Sequence, residues 1–231
     1  TVTLTVAAAQ TGITSVVNAA LEIGRDADNR IKFGTDNQII FEVDGGDNVI
    51  FKTSGEIEAT SLDISGDVDI DGTLRISTGN VDVNGIFDAT NGEIDFTDAS
   101  AGKIILGGTV TSLGTLDATT GTVEYDGTTQ NVLADDYNNL EIDQSGNKTA
   151  QGAINVAGTL TVQSGATFDL AATTATITGS SDINGAINAS TGICDANGAF
   201  DATGGSITFT GAGTLRIAGS VTSLGTLGTS A

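Results

Sequence analysis

Histidine, proline, methionine and tryptophan are absent from these 231 residues, and cysteine occurs once. Without histidine, the usual near-neutral general base, the triads built on it and the commonest metal ligand disappear together. Metal-independent hydrolysis would have to run on carboxylates alone. A single cysteine builds no internal disulfide framework and says nothing of redox compartment. Aromatic residues are scarce too, eight Phe and two Tyr against 32 Gly, so the apolar material is small or β-branched and evenly spread. That suits a thin layered structure better than a globule. No run of about 18 apolar residues is present to span a bilayer, and no basic, apolar and cleavage regions in succession mark a signal peptide. With Thr1 first and no Met anywhere, the chain reads as a fragment, a processed product or the ordered part of something longer.

Positive charge is the last shortage. Eight Lys and Arg stand against 29 Asp and Glu, a formal charge of -21, which repels nucleic acid and anionic membrane surfaces and removes both as expected partners. Hydrophobic content of 39% is nonetheless too high for a disordered chain, and the apolar residues alternate with polar ones.

Internal repetition is the strongest positive signal. Residues 66–90, GDVDIDGTLRISTGNVDVNGIFDAT, align without gaps to residues 179–203, GSSDINGAINASTGICDANGAFDAT, at an offset of 113. The match continues from 87–116 to 200–227 once two residues are dropped from the second copy. A shorter echo of its Thr-Ser motif lies at Gly12 to Val16. Such self-similarity marks solenoids and fibres, where each unit buries its apolar face only against a neighbour. Glycines recur at 72, 79, 85 and 92 and again at 185, 192, 198 and 205. Between them the chain alternates, as in Val68-Asp69-Ile70-Asp71, which predicts short strands joined by tight Asp-Gly and Asn-Gly turns. Upstream, Asp28 to Phe33 and Asp36 to Phe41 share D-N-x-I-x-F, followed by the looser Asp47 to Phe51. The sole candidate for a helix is Val16 to Ile23, with Val17, Ala20 and Leu21 on one side.

Candidate chemistry is thin. Asp67, Asp69 and Asp71 before Gly72 match the first half of a calcium loop, D-x-[DN]-x-[DN]-G, and Asn80 to Gly85 matches more weakly. The bidentate Glu that closes such a loop is missing, since its twelfth position is Thr78. The duplicate carries Ser180, Asp182 and Asn184 opposite the three acids, so a solvated acidic face is the expectation. Calcium at Asp67, Asp69 and Asp71 is the one cofactor candidate. Cys194 aligns with Val81 and is expected to be a small buried hydrophobe without a base to activate it. Asp135-Asp136 could in principle serve glycoside hydrolysis, but with no Trp and only Tyr125 and Tyr137 a sugar cleft lacks its stacking platform. Asp135 to Asn139 reads as a turn.

Ala20 to Val43, continuing through Ser54 to Gly72, resembles tail-fibre-like structural proteins of marine bacteriophages, and the repeated I/V-T-S-V/L-G-T-L phrase is similar to a motif of the same group. The resemblance is close over residues 8–75 and looser beyond. Tyr137 to Leu170 instead resembles repeats of bacterial secreted β-helix surface proteins. The first resemblance implies a virion appendage, a homotrimer with other virion fibre or tail proteins as partners, and no catalytic residues to transfer. The combined expectation is an all-β, elongated repetitive β-fibre, either a β-solenoid or an intertwined trimeric β-helix, with little or no helix. Four segments are expected: an N-terminal β-repeat segment at 1–65, the first repeat copy at 66–116, an intervening β-helix-like segment at 117–178, and the second copy at 179–231. The functional expectation is a non-enzymatic shaft of a virion fibre that positions a host-binding tip, located on a virion or an extracellular surface. A bacterial or archaeal extracellular filament or adhesin is the alternative, and a polysaccharide depolymerase the third reading. Self-association is expected through Val, Ile, Leu and Phe rows, including Ile31, Phe33, Ile39 and Phe41, facing a threefold axis.

Overall fold

A computed structural model describes residues 22–24, 29–33, 38–44, 46–52, 57–59, 62–97 and 102–229. Among them every regular element is a strand. The contacts divide the chain into two units, residues 1–60 and 61–231. The echo at Gly12 to Val16 and residues 16–21 of the helix candidate lie outside the described residues, and Glu22–Gly24 is a strand.

The first unit is an antiparallel sheet of five strands in chain order, Glu22–Gly24, Arg30–Lys32, Gln38–Val43, Gly46–Lys52 and Ile57–Ala59. The D-N-x-I-x-F repeats become its middle strands, in a register that opposes Ile23 to Ile31, Ile31 to Phe41 and Phe41 to Val49. Alternation then sorts the side chains by face. One face carries Arg30 bonded to Glu42 at 2.7 Å and to Glu22 at 2.6 Å, with Lys32 3.2 Å from Glu42. The other is apolar: Ile23, Ile39, Phe41, Phe51 and Ile57 are exposed, and Ile31 and Phe33 are half-buried. Phe41 and Phe51 meet edge to face with centroids 5.7 Å apart.

The second unit is a parallel β-solenoid of about eight turns, each laying down one strand on each of three faces. The first face is a continuous nine-stranded sheet: Leu62–Ile64, Asn80–Val83, Lys103–Leu106, Thr122–Tyr125, Asn139–Ile142, Leu160–Val162, Ser181–Ile183, Phe200–Asp201 and Val221–Ser223. The second face begins as a three-stranded sheet (Val68–Asp69, Phe87–Asp88, Val110–Ser112) and resumes as a six-stranded one from Thr129–Val132 to Thr226–Thr229. The third breaks at the same level, between Thr115–Asp117 and Asp136–Tyr137, and then runs through four more strands to Thr214–Ile217.

Alternation builds the core, because inward residues of successive turns fall on the same spot. Val83, Leu106, Tyr125, Ile142, Val162 and Ile183 form one buried row along the first face. Each buried Val, Leu, Ile or Phe stabilises the rod by about 1.5–3 kcal/mol relative to leaving it in water. Gly72, Gly85, Gly185 and Gly198 all lie in bends between strands, as the spacing predicts. Two corner positions demand glycine for distinct reasons. A Cβ on Gly108 would sit 1.9 Å from the Gly85 carbonyl of the preceding turn, and one on Gly219 would sit 2.0 Å from that of Gly198. Gly114 and Gly225 instead have φ of +64° and +60°, which a side chain strains.

The duplicated segments adopt one substructure. Ser112 Oγ accepts the Gly114 N–H at 3.0 Å and Ser223 Oγ the Gly225 N–H at 3.0 Å. The same register shift occurs at Phe87/Asp88 and at Phe200/Asp201. Phe87, Ile94, Phe96, Phe200 and Ile207 are buried, whereas Phe209 is only partly so. The expectation that all six would be buried is corrected at Phe209, which lies near the end of the described solenoid, where fewer neighbours cover it. The copies are also rotated. Val68 and Phe87 belong to the second face, but their counterparts Ser181 and Phe200 belong to the nine-stranded first face. Asn80–Val83 lies on the first face and its counterpart Ile193–Ala196 on the third. Counterpart strands are seventeen places apart in chain order, five turns of three and two places more, so the copies are out of phase by one face. The expected boundaries at 116/117 and 178/179 fall inside this one continuous stack.

Candidate functional site

Polar residues penetrate the solenoid mainly where the second and third faces break, in and beside the segment between the two copies. Gln130 stands at an inward position of the first strand after the break and is buried. Its Nε2 donates to the Leu106 carbonyl at 2.8 Å and to that of Gly108 at 2.6 Å, and its Oε1 accepts the Gly127 N–H at 2.9 Å. One side chain thus serves backbone groups that the interrupted ladder leaves to it. A small open pocket of about 140 Å³, lined by Thr109, Val110, Thr129, Gln130 and Asn131, marks the gap.

In the same turn the two tyrosines face each other across the interior, one from the first face and one from the third. Their hydroxyls are 3.0 Å apart; Tyr137 donates to the Leu133 carbonyl at 2.7 Å, and Tyr125 accepts the Leu133 N–H at 3.2 Å. Burial pushes the Tyr125 phenol up to about 12 and Tyr137 well above its ordinary value. Both stay neutral at physiological pH, and the pair closes a set of hydrogen bonds onto Leu133 inside the solenoid. The expected turn at Asp135 to Asn139 is corrected here: Asp136–Tyr137 and Asn139–Ile142 are strands meeting at a corner at Asn138, and Tyr137 points inward.

Outside the first face, parallel register stacks charges from successive turns. Lys103 Nζ lies 2.6 Å from Glu124 Oε2 and 2.5 Å from Glu141 Oε2, and Gln163 Nε2 donates to Glu141 Oε1 at 2.6 Å. Burial raises Glu124 above the ordinary carboxylate value despite Lys103. At Glu141 burial also pushes upward, but the bonds from Lys103 and Gln163 outweigh it and leave that carboxyl lowered. Beside this ladder, one oxygen each of Glu124, Asp126 and Asp143 lies within 4.8 Å of the others. Burial and the neighbouring Asp143 and Asp82 raise Asp126. Lys148, fully buried, donates to the Gln144 carbonyl at 2.6 Å and attracts Asp126 and Asp143; burial lowers its ammonium. The carboxylates therefore already face two ammonium groups of the same chain, which is the chemistry of internal charge compensation.

The residues singled out in the sequence lie elsewhere. Asp67, Asp69 and Asp71 are exposed on the first turn, where Asp67 Oδ1 accepts the Ile86 N–H at 2.8 Å and Asp71 Oδ1 an Asn91 side-chain N–H at 3.5 Å. Cys194 is buried between Ala175 and Leu215 of the adjacent turns, as its alignment with Val81 predicts, and burial pushes its thiol up to about 12. Comparison with protein-family models, with curated proteins and with solved structures finds no match to this chain.

Proposed function

We propose that the chain is a structural shaft segment of a virion fibre, a tail fibre or appendage, that holds a host-binding tip away from the particle. The observation that carries this reading is the uninterrupted nine-stranded parallel sheet. At about 4.8 Å per strand it makes the solenoid unit a rod roughly 38 Å long, with one buried apolar core along its axis. A rod of this kind transmits position and needs no reacting groups, which fits a non-enzymatic role. Outward Asp63, Asp82, Glu124, Glu141 and Asp182 line the nine-stranded sheet and discourage lateral bundling through that face. The exposed Ile39 and Phe41, with the half-buried Ile31 and Phe33, offer the surface on which a parallel homotrimer closes around a threefold axis, and other fibre or tail proteins join at its ends.

Electron microscopy of intact particles with an antibody against this chain tests the reading. Label along a particle appendage is expected. Label on cell-surface filaments would overturn it in favour of a filament or adhesin, the reading that the resemblance of Tyr137 to Leu170 to secreted β-helix repeats favours. Sugar release from host polysaccharide by the purified chain would overturn the non-enzymatic role.

A further inference from the structure

Four Asn-Gly dipeptides turn corners of the solenoid between strands: Asn84-Gly85, Asn91-Gly92, Asn184-Gly185 and Asn197-Gly198. A pair that accepts a tight turn is also open to intramolecular attack, because glycine has no Cβ to shield its backbone nitrogen from the preceding side chain. The four share that chemistry, and the fold treats them differently. The Gly92 N–H donates to the Ala89 carbonyl at 2.9 Å, and the Gly185 N–H to the Val162 carbonyl at 2.9 Å. The Gly85 and Gly198 N–H groups have no acceptor among the described residues. Exposure does not draw this line, since Asn84, Asn91 and Asn197 are all exposed and Asn184 is half-buried. Nor do the side-chain amides of the exposed pair: Asn84 Nδ2 donates to Asp82 Oδ1 at 3.4 Å and Asn91 Nδ2 to Asp71 Oδ1 at 3.5 Å. The glycine amide is what separates the two classes. Asn84 and Asn197 are counterparts in the two copies, at the offset of 113, so the same free corner occurs twice.

We propose that Asn84 and Asn197 are sites of spontaneous deamidation, and that their hydrogen-bonded glycine amides protect Asn91 and Asn184. The nitrogen of Gly85 or Gly198 forms a bond to Cγ of the preceding asparagine, the Cγ–Nδ2 bond breaks, and the glycine amide proton departs with Nδ2 as ammonia. Water, the one co-reactant, then opens the five-membered imide at either carbonyl. The product is aspartate or, with an extra methylene in the main chain, isoaspartate. At Gly92 and Gly185 the amide must first give up its carbonyl, which requires the corner to open. Each event adds one negative charge to a chain that already carries -21. The product bears on the fold because both reactive corners are tight. A Cβ on Gly85 would run into the Gly66 carbonyl of the preceding turn, and one on Gly198 into that of Gly179. An added main-chain methylene therefore has little room, and the reaction marks the equivalent corner of both copies as the protein ages.

The test incubates the full chain in mildly alkaline buffer and, in parallel, in urea, and follows all four sites by peptide mapping for the mass gain of amide to acid. In buffer, conversion at Asn84 and Asn197 is expected to outpace that at Asn91 and Asn184 by more than about tenfold, since a bonded amide reacts only from its opened state. In urea, where the corners are lost, the four rates are expected to converge. Asn84→Gln combined with Asn197→Gln is expected to remove the acidic species that accumulate on isoelectric focusing, with folding verified by circular dichroism. If that variant fails to fold, the mapping of the wild-type chain decides alone. Equal rates in buffer, faster conversion at Asn91 or Asn184, a difference that persists unchanged in urea, or acidic species undiminished in the folded variant would each overturn the proposal.

Discussion

Residues 110–116 and 221–227 are the same seven amino acids, with the same hydroxyl-to-amide bond before a glycine of the same positive φ. Yet Val110 and Leu113 are buried where their counterparts Val221 and Leu224 are exposed, and the two segments sit on different faces of the solenoid. Local conformation is therefore written in the motif itself. Burial is conferred by the next turn, and the face is decided by how many strands lie between the copies. Substitutions and conditions can separate these three contributions.

The largest effects are expected where both copies are covered. Phe87→Ala and Phe200→Ala remove equivalent buried rings and should each cost about 3–5 kcal/mol in urea unfolding. A large loss in one copy and a small loss in the other would break the equivalence. Covered and uncovered positions come next: Leu113→Ala should cost about 2–5 kcal/mol, and Leu224→Ala less than about 1 kcal/mol. Equal losses would mean that the trailing turn is covered in the isolated chain.

Tyr125→Phe probes the segment between the copies. It strips the Leu133 N–H of its acceptor inside the rod and should cost about 1–3 kcal/mol, read by the same unfolding titration. Acid sensitivity is expected in both copies. Asp95 and Asp201 are each held below the ordinary value of 3.8, chiefly by hydrogen bonds from Thr97 and Thr203, with Arg75 adding to the effect at Asp95. A carboxyl lowered by folding stabilises fully above its ordinary value, and that stability is lost as pH falls through the lower folded value. Unfolding midpoints should thus drop as pH falls below 3.8, and Asp95→Asn should flatten that slope more than Asp201→Asn. The smallest effect concerns divalent ions. With Asp67, Asp69 and Asp71 read as a solvated face, chelator should move the melting midpoint by no more than about 2–4 °C, the equivalent of roughly 1 kcal/mol at this size. Collapse of the fold in chelator would make the acidic row a structural site.

Much of the fold was legible because period-two alternation and corner glycines are local signals. Val81, Val83, Cys194 and Ala196 point inward as their alternation requires. The rotation between the copies was not legible. It accumulates from turns of unequal length, 19 residues from Leu62 to Val81, 23 from Val81 to Ile104 and 17 from Val123 to Leu140, and no single motif records that sum. The candidate site escaped for a related reason. A calcium-loop pattern searches along one strand, as at Asp67, Asp69 and Asp71, whereas a solenoid gathers side chains from successive turns. Asp126 and Asp143 meet because the intervening turn closes, and Tyr125 meets Tyr137 because the first and third faces of one turn both point side chains into the interior. The signal that could have flagged the region was the placement of both tyrosines, Gln130 and Lys148 in a segment that neither copy shares.

A crystal structure of the chain, resolved well enough to place side chains, tests the central claim most directly. Phe200–Asp201 and Asn80–Val83 should lie in the same nine-stranded parallel sheet, with Ile193–Ala196 on another face. Finding Asn80–Val83 and Ile193–Ala196 in one sheet, or either copy folded as anything but stacked parallel turns within a single chain, would contradict it.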